Sequence, residues 1–384
     1  MKKWLICLLI LALSLTPALA EEEAAVPGLS RQGLALGEGW VFYPQVEGMA
    51  DAALLQAVND ALLQALDAQG LLTRLALTMQ NPTPLRADYT AFLAEDVLSV
   101  VMEVSGPVAD ERTTHQWRTV NIDLRTGQAV ALDDLFTDAQ AARAWLCDEL
   151  EWELAPALSA HLRNNQLVPL PEDYGLSDSG LTLYYDIDQL CTLGDRAGTV
   201  HIRWSRLRPW LDASAEGLPG RVGALRMIAL DGESPERIRQ AVADGSLPGI
   251  PAVLGEKVQT CIDRYGLMID PDLYEDGRLF QLQDGAFRDA YLLSDRLSSR
   301  WGESVVQGIR SDRLDLFGLC TGETLREAWL SLLGEPDATV TLDAERADSY
   351  RMVPGTSDYY QLGDVRLRLH ADEEGVLTSV ILTR

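Results

Sequence analysis

Arg118-Thr-Val-Asn121-Ile-Asp123-Leu-Arg-Thr126-Gly127-Gln-Ala-Val130-Ala-Leu132-Asp133-Asp134-Leu-Phe136 opens the stretch on which the fold reading turns, and that stretch runs to Leu211. Val120, Ile122 and Leu124 alternate with polar residues, the period of a half-buried strand. Thr126-Gly127 supplies a turn, because glycine accepts positive φ. A short second strand over 129–132 follows, and Asp133-Asp134-Leu135-Phe136 leads into a long helix over about 138–162. Trp145, Leu146, Leu150, Leu154 and Leu158 line one face of that helix, a stripe suited to packing on a sheet. Gly180-Leu-Thr-Leu183-Tyr184-Tyr185 and Thr199-Val-His201-Ile-Arg203-Trp204 read as the closing strands, over 180–188 and 198–205.

Upstream, Leu34–Tyr43 reads as a first strand. Asp51–Leu66 reads as a helix, with Leu54, Leu55, Val58, Ala61, Leu62, Ala65 and Leu66 at helical spacing and Asp51 as its cap. Four strands then follow in series, over 71–78, 86–93, 97–104 and 113–124. Strands in series without intervening helices point to antiparallel pairing rather than a βαβ sheet. Downstream, 212–222 carries Gly217, Pro219 and Gly220 and reads as a linker.

Beyond the linker, Ser234-Pro235-Glu236 starts a helix, Val258–Tyr265 reads as another, and strands are expected near 278–283, 286–293 and 303–310. Thr324 and Glu327 have capping-box spacing, and Leu325, Ala328, Trp329, Leu332 and Leu333 form a buried face. Gly334 and Pro336 end that helix. Strands follow over 338–343, 348–353, 358–362, 364–370 and 376–383. Arg278-Leu-Phe-Gln-Leu-Gln-Asp-Gly285 with Val305-Val-Gln-Gly-Ile-Arg310 echoes Asp358-Tyr-Tyr-Gln-Leu-Gly-Asp364 with Val376-Leu-Thr-Ser-Val-Ile381, the mark of a tandem unit.

The expected architecture is therefore α+β with two domains, each an antiparallel sheet with helices packed on one face. The expected divisions are a signal peptide over 1–20, a flexible lead over 21–31, one domain over 32–211, the linker over 212–222, and a second domain over 223–384 that divides into helix-plus-sheet units at 223–312 and 313–384.

Compartment follows from the first residues. Lys2 and Lys3, the apolar run Trp4–Leu15 and Ala18-Leu19-Ala20 have the order of a secretory signal peptide. No later apolar run reaches the length of a membrane span, so a secreted or envelope-associated protein without a stable span is expected. The net charge of −26 argues against nucleic acid and suits a cationic partner. Beyond Cys7 the cysteines are Cys147, Cys191, Cys261 and Cys320. Disulfides Cys147–Cys191 and Cys261–Cys320 would respect the domain division, and buried free thiols are the alternative.

His115, His161, His201 and His370 have no metal-ligand spacing, and Gly175-Leu-Ser-Asp-Ser-Gly180 does not have the form of a nucleophile elbow. Asp270–Gly277 reads as an acidic turn, with its glycine misplaced for a calcium loop. Asp123, Asp133 and Asp134 could be drawn as an acid–base cluster, but a helix cap or turn explains Asp134 better. Tyr184, Tyr185 and Trp204 are the candidate ligand contacts, as rings able to stack on a glycan, with strand-core packing as the competing reading. No cofactor is called for.

Several of these segments, in this order, resemble the exported domain-of-unknown-function family numbered 3298 with its N-terminal companion numbered 4163, over about 32–211. The residues carrying the resemblance are Tyr43-Pro44, Asn59, Tyr89, Asp96-Val-Leu-Ser99, Asn121-Ile-Asp123 with Thr126-Gly127, Asp134-Leu-Phe136, Gly180-Leu-Thr-Leu183-Tyr184-Tyr185, Gly194 and Ile202-Arg-Trp204. The resemblance implies the ectodomain type found in lysozyme-sensing anti-sigma factors and before some peptidoglycan deacetylases. The sequence departs from that pattern at Cys191-Thr192-Leu193 and has no His-x-x-x-His pair in its second half. Gly318, Gly322, Thr324, Glu327, Leu333, Gly334 and Pro336 resemble the helix-and-sheet domains of β-lactamase inhibitor proteins. The function expected is a non-catalytic exported binding or sensing protein at the cell envelope, with lysozyme, a cell-wall glycan or another protein as ligand. The alternative is a cell-wall hydrolase or deacetylase of unrecognised type.

Overall fold

The computed structural model describes residues 27–78, 83–109, 112–154, 170–185, 199–212, 214, 216–267, 272–274, 277–282, 287, 289–294 and 303–384. The signal segment, Cys191 and much of the acidic turn near 270–276 lie outside these residues. No described helix is long and apolar enough to cross a membrane.

Both halves are α+β. The first is built on a six-stranded sheet in the order β1 (Gly28–Leu36), β2 (Gly39–Glu47), β3 (Arg86–Ala94), β4 (Val97–Ala109), β5 (Arg112–Asp123), β6 (Gln128–Ala129). Every pairing is antiparallel except β2 with β3, which run parallel over Trp40↔Arg86 and Val41↔Ala87. Helices α1 (Ala52–Ala65) and α2 (Ala68–Leu77) make that crossover. Asp51 caps α1 by accepting from the amides of Ala53 and Leu54. Asn59 ties α1 to β2 by exchanging two hydrogen bonds with the backbone of Val46, at 2.8 and 3.0 Å.

Alternation on the central strands divides their two faces. Leu98, Val100, Met102 and Val104 of β4, with Val120 and Ile122 of β5, face α1 and α2 in one core. The opposite face receives a three-stranded antiparallel sheet, β7 (Tyr174–Leu176), β8 (Gly180–Tyr184) and β9 (Thr199–Arg203). Hydrogen bonds dock it: Ser99 Oγ accepts from the Leu176 amide at 2.8 Å, and Asn121 Nδ2 donates to the Tyr174 carbonyl at 2.8 Å. Asp173 accepts from the amide and hydroxyl of Thr119. A second core fills the adjoining space with Ala142, Leu146 and Leu150 of α3 (Ala139–Leu154) and the inner face of β7–β9.

Three short helices follow: α4 (Trp204–Leu207), α5 (Leu218–Arg221) and α6 (Ala224–Ile228). Val222, Ala224 and Met227 enter the second core of the first half, so the expected linker is folded and the chain leaves that half only after Met227. Arg221 holds α5 down, with Nε on Asp96 at 2.8 Å and Nη1 and Nη2 on the two oxygens of Asp123 at 2.9 and 2.6 Å.

The second half is one eight-stranded antiparallel sheet with a symmetric order. β12 (Asp272–Tyr274), β13 (Gly277–Phe280), β14 (Ala290–Ser294) and β15 (Gly308–Ser311) form one meander. β18 (Ala338–Leu342), β19 (Gly355–Leu362), β20 (Val365–Asp372) and β21 (Leu377–Thr383) form the other, and β15 pairs with β21. A hairpin and a helix precede each meander: β10 (Ser246–Leu247), β11 (Ile250–Val253) and α8 (Val258–Tyr265) before the first, β16 (Asp315–Leu316), β17 (Leu319–Cys320) and α9 (Arg326–Leu333) before the second. The two sequence echoes fall on corresponding strands, β13 with β19 and β15 with β21. Helix α7 (Ser234–Ala241), α8 and α9 cover one face of the sheet, and α10 (Ala344–Ser349) lies after β18.

Several local expectations are corrected. The lead over 21–31 is β-structured from Gly28, and the single strand expected over 34–43 is a hairpin of β1 and β2. Residues 71–77 are helical, because Leu71 and Leu75 bury one face at a spacing of four, and Asp67 at φ 48° breaks α1 from α2. Residues 348–353 are not a strand but the end of α10 and a turn. The Thr324–Glu327 capping box is not formed: Thr324 Oγ1 instead donates to the Gly318 carbonyl and accepts from the Cys320 amide, both at 2.8 Å. Cys261 and Cys320 are buried free thiols, so the Cys261–Cys320 bridge is absent. Cys147 is half-buried on α3, and its expected partner Cys191 lies outside the described residues.

Candidate functional site

A cleft of about 610 Å³ lies between the first sheet, the β7–β9 sheet and the second half. Strand register builds its first wall. Asp88 of β3 pairs with Glu103 of β4, and Glu103 pairs with Trp117 of β5, which places the three on one row and one face. Val101 lies two residues along β4 on the same face.

The second wall is the outer face of β8 and β9. Leu181 and Leu183 point into the core, so Thr182 and Tyr184 point out into the cleft. Thr199 and His201 stand opposite them in register, Tyr184↔Thr199 and Thr182↔His201. The rings of Trp117 and Tyr184 meet across the walls with centroids 4.9 Å apart. Close approach depends on Gly175 of β7, where a Cβ would lie 2.8 Å from Val101 Cγ2 and 3.3 Å from Tyr184 Cε2.

The second half closes one end with Gly249, Pro251, Arg264 and Tyr265. Gly249 has φ +75°, and a Cβ there would meet Ser179 Oγ at 2.6 Å, so only glycine lets the β10–β11 turn sit on the β7–β8 turn. Arg264 lies over the ring of Tyr265, 5.5 Å from its centroid. His201 Nδ1 is 3.0 Å from Thr182 Oγ1, and burial with nearby Arg313 and Arg203 holds the ring well below its usual pKa.

The sequence candidates separate on exposure. Tyr184 lines the cleft, whereas Tyr185 (1% exposed) and Trp204 (0%) are core residues and cannot touch a ligand. Trp204 spends its indole N–H on the Ser177 carbonyl at 3.1 Å. Period-2 alternation already places Tyr185 opposite Tyr184, and Trp204 falls where β9 gives way to α4. Trp117 and Glu103 were missed. Both sit on strands whose alternation was legible, but only pairing register shows that they are neighbours.

The carboxylates considered for acid–base chemistry are all engaged elsewhere. Asp123 is clamped by Arg221, whose hydrogen bonds hold the carboxyl below the usual range. Asp134 accepts from the Ala131 amide at 2.9 Å and starts a turn, and Asp133 pairs with Arg143. Among the described residues no group of three or more His, Cys, Asp or Glu side chains could hold a metal ion.

The two halves meet beside the cleft. Arg203 at the end of β9 donates to Asp315, Thr321 and the Leu314 carbonyl, and the Ser205 amide donates to the other Asp315 oxygen at 2.8 Å. Phe317, at the tip of the β16–β17 hairpin, packs against both the second core of the first half and the main core of the second.

No protein-family model matches the chain. No curated protein matches it either. Among solved structures the chain is similar to a member of the duf3298 family from Bacteroides fragilis, at 14% identity and TM-score 0.35, over 50% of this chain and 95% of that one. It is also similar to a DUF3298 family protein from Pseudomonas aeruginosa, at 11% identity and TM-score 0.34, over 50% of this chain and 96% of that one. A DUF4309 family protein from Bacillus subtilis shows 12% identity and TM-score 0.27, over 40% of this chain and 96% of that one.

Proposed function

We propose that the chain is an exported, non-catalytic binding protein of the bacterial cell envelope that holds a segment of cell-wall glycan in this cleft. The observation that carries the reading is the Trp117–Tyr184 ring pair, flanked on its own row by Glu103 and Asp88. Flat apolar rings offer a platform for the C–H faces of a sugar, and carboxylates accept from its hydroxyls. Hydroxyls of Thr182, Thr199 and Ser177 add further donors and acceptors around the same space. The signal-like sequence at Lys2–Ala20 supports export. The engagement of Asp123, Asp133 and Asp134 by arginines and backbone favours binding over hydrolysis.

The test is calorimetric titration of the protein with defined cell-wall glycan oligomers, alongside Trp117→Ala and a peptidoglycan turnover assay. Saturable binding that is lost in the variant, without turnover, is the expected result. Absence of binding, or turnover by the wild type, overturns the reading. A second reading, a basic protein partner such as lysozyme, is favoured by the net charge of −26. It requires association that slows steeply with salt, because charges in the open are screened within about 10 Å at 0.1 M.

A further inference from the structure

We propose that α10 and the turn after it, residues 344–353, form a strap that acid releases from the outer face of the second sheet, with His370 as its latch.

Alternation divides the faces of that sheet too. Leu367, Leu369 and Ala371 of β20 enter the main core, so Arg368 and His370 point to the other side. Arg310 of β15 stands on the same side and in the same row as Arg368, with Ile381 of β21 between them. Arg310 is 4% exposed, Arg368 6% and His370 0%. The strap lies over these three side chains and is tied to each. Arg310 Nη1 donates to the Tyr350 carbonyl at 3.0 Å. Arg368 lies 5.1 Å from the centre of the Tyr350 ring and donates to Met352 Sδ at 3.5 Å. His370 Nε2 is 2.8 Å from the Val353 carbonyl. Among these ties Arg351 is held at φ 53°, a left-handed conformation that strains a residue with a Cβ.

The hydrogen bonds fix the charge on the latch. A carbonyl only accepts, so Nε2 carries a proton and donates to Val353. Ser357 Oγ accepts from Arg368 Nε at 3.0 Å, which leaves its own proton for His370 Nδ1, 2.9 Å away. The ring is therefore neutral. The charged groups facing it are Arg368, Arg310 and Asp312, and Arg310 holds both oxygens of Asp312. Protonating Nδ1 would set Ser357 Oγ between two donors and add a third positive charge beside a single carboxylate. Burial and the two arginines accordingly hold the ring below its ordinary pKa. With the strap lifted, the ring meets water and titrates near about 6.5. The neutral ring thus favours the closed strap above that pH, and below it protons bind the open form first. Opening would uncover Leu279, Leu293 and Ile381, the apolar group against which Met352 packs.

The test is hydrogen exchange of the full chain at pH 8 and pH 5, corrected for the intrinsic rates. The reporters are the amides of Arg351 and Met352, which donate to the Asp348 and Ala347 carbonyls, with the amides of β20 as reference. Strap opening is expected to rise by up to about thirtyfold at the lower pH, the gain of a free imidazole over one held neutral, while β20 is unchanged. His370→Gln, whose amide can keep both bonds without taking a charge, is expected to hold the strap closed at both pH values. No rise on acidification, an equal rise in the glutamine variant, or a rise shared by β20 overturns the latch. Should that variant fail to fold, the wild type still decides: the His370 ring must titrate in step with strap exchange, and a ring that titrates while the strap stays closed overturns the proposal.

Discussion

Arg203 and Asp315 form a buried ion pair, 3.2 Å apart, between β9, the last strand of the first half, and β16 of the β16–β17 hairpin in the second. Neither charge has water to fall back on. Among the described residues nothing accepts from Arg203 Nε, so the contact is costly to assemble and costlier to break. Asp315→Ala is expected to destabilise the protein by about 3–5 kcal/mol, because it strands the arginine. Arg203→Met with Asp315→Leu should cost less than the single change, since no orphan charge remains. Urea unfolding of the three proteins decides it, and a single-variant loss under about 0.5 kcal/mol would refute the pair's role.

Arg221 gives the pH dependence. Its hydrogen bonds hold Asp123 below the usual carboxylate value. A depressed folded pKa stabilises fully above the unfolded value of about 3.9, and the contribution is lost as pH falls through the lower folded value. The gap in urea midpoint between wild type and Asp123→Asn should stay constant above about pH 5 and shrink below about pH 4. A gap that widens on acidification would reverse the sign and exclude the clamp.

Thiol chemistry provides a third check. Burial pushes Cys261 up to about 12, and burial likewise raises Cys320. Thiolate is the reactive form, so neither should alkylate in the native protein, and both should alkylate in urea. A non-reduced peptide linking the two would contradict the free thiols.

Gly175 is a tight point under the cleft. Gly175→Ala is expected to cost about 1–3 kcal/mol by overpacking against Val101 and to shift Tyr184. Thermal unfolding and glycan titration should move together. An alanine variant with unchanged stability would show that the two sheets can part at no cost.

Trp117→Ala should weaken glycan binding about tenfold, the equivalent of about 1.4 kcal/mol, while Trp117→Phe keeps part of the platform. An alanine variant that binds as tightly as wild type would place the ligand elsewhere.

The sequence was most informative where period and punctuation agree. Val120, Ile122 and Leu124 announced a half-buried strand, and Asp51 announced a cap. It misled where a short apolar run fits either period. Leu71, Leu72 and Leu75 suit a strand locally, and only packing beneath β1 and β2 makes them helical. The cleft was half legible. Tyr184 lay in plain view, but its partner Trp117 sits 67 positions earlier, and nothing in a single chain's spacing joins them. Thr324 and Glu327 had the spacing of a cap, yet the hydroxyl closes the turn behind it instead.

Val222, Ala224 and Met227 belong to the core of the half they have nominally left, and Phe317 returns from far downstream to touch it again. The first half is therefore not a portable module. A fragment ending near 212 would lack part of its own interior and would leave Trp204 and Leu207 without cover. Such a fragment grafted onto another protein would aggregate, and a recombination point that preserves folding lies beyond Met227 and must bring the β16–β17 hairpin with it.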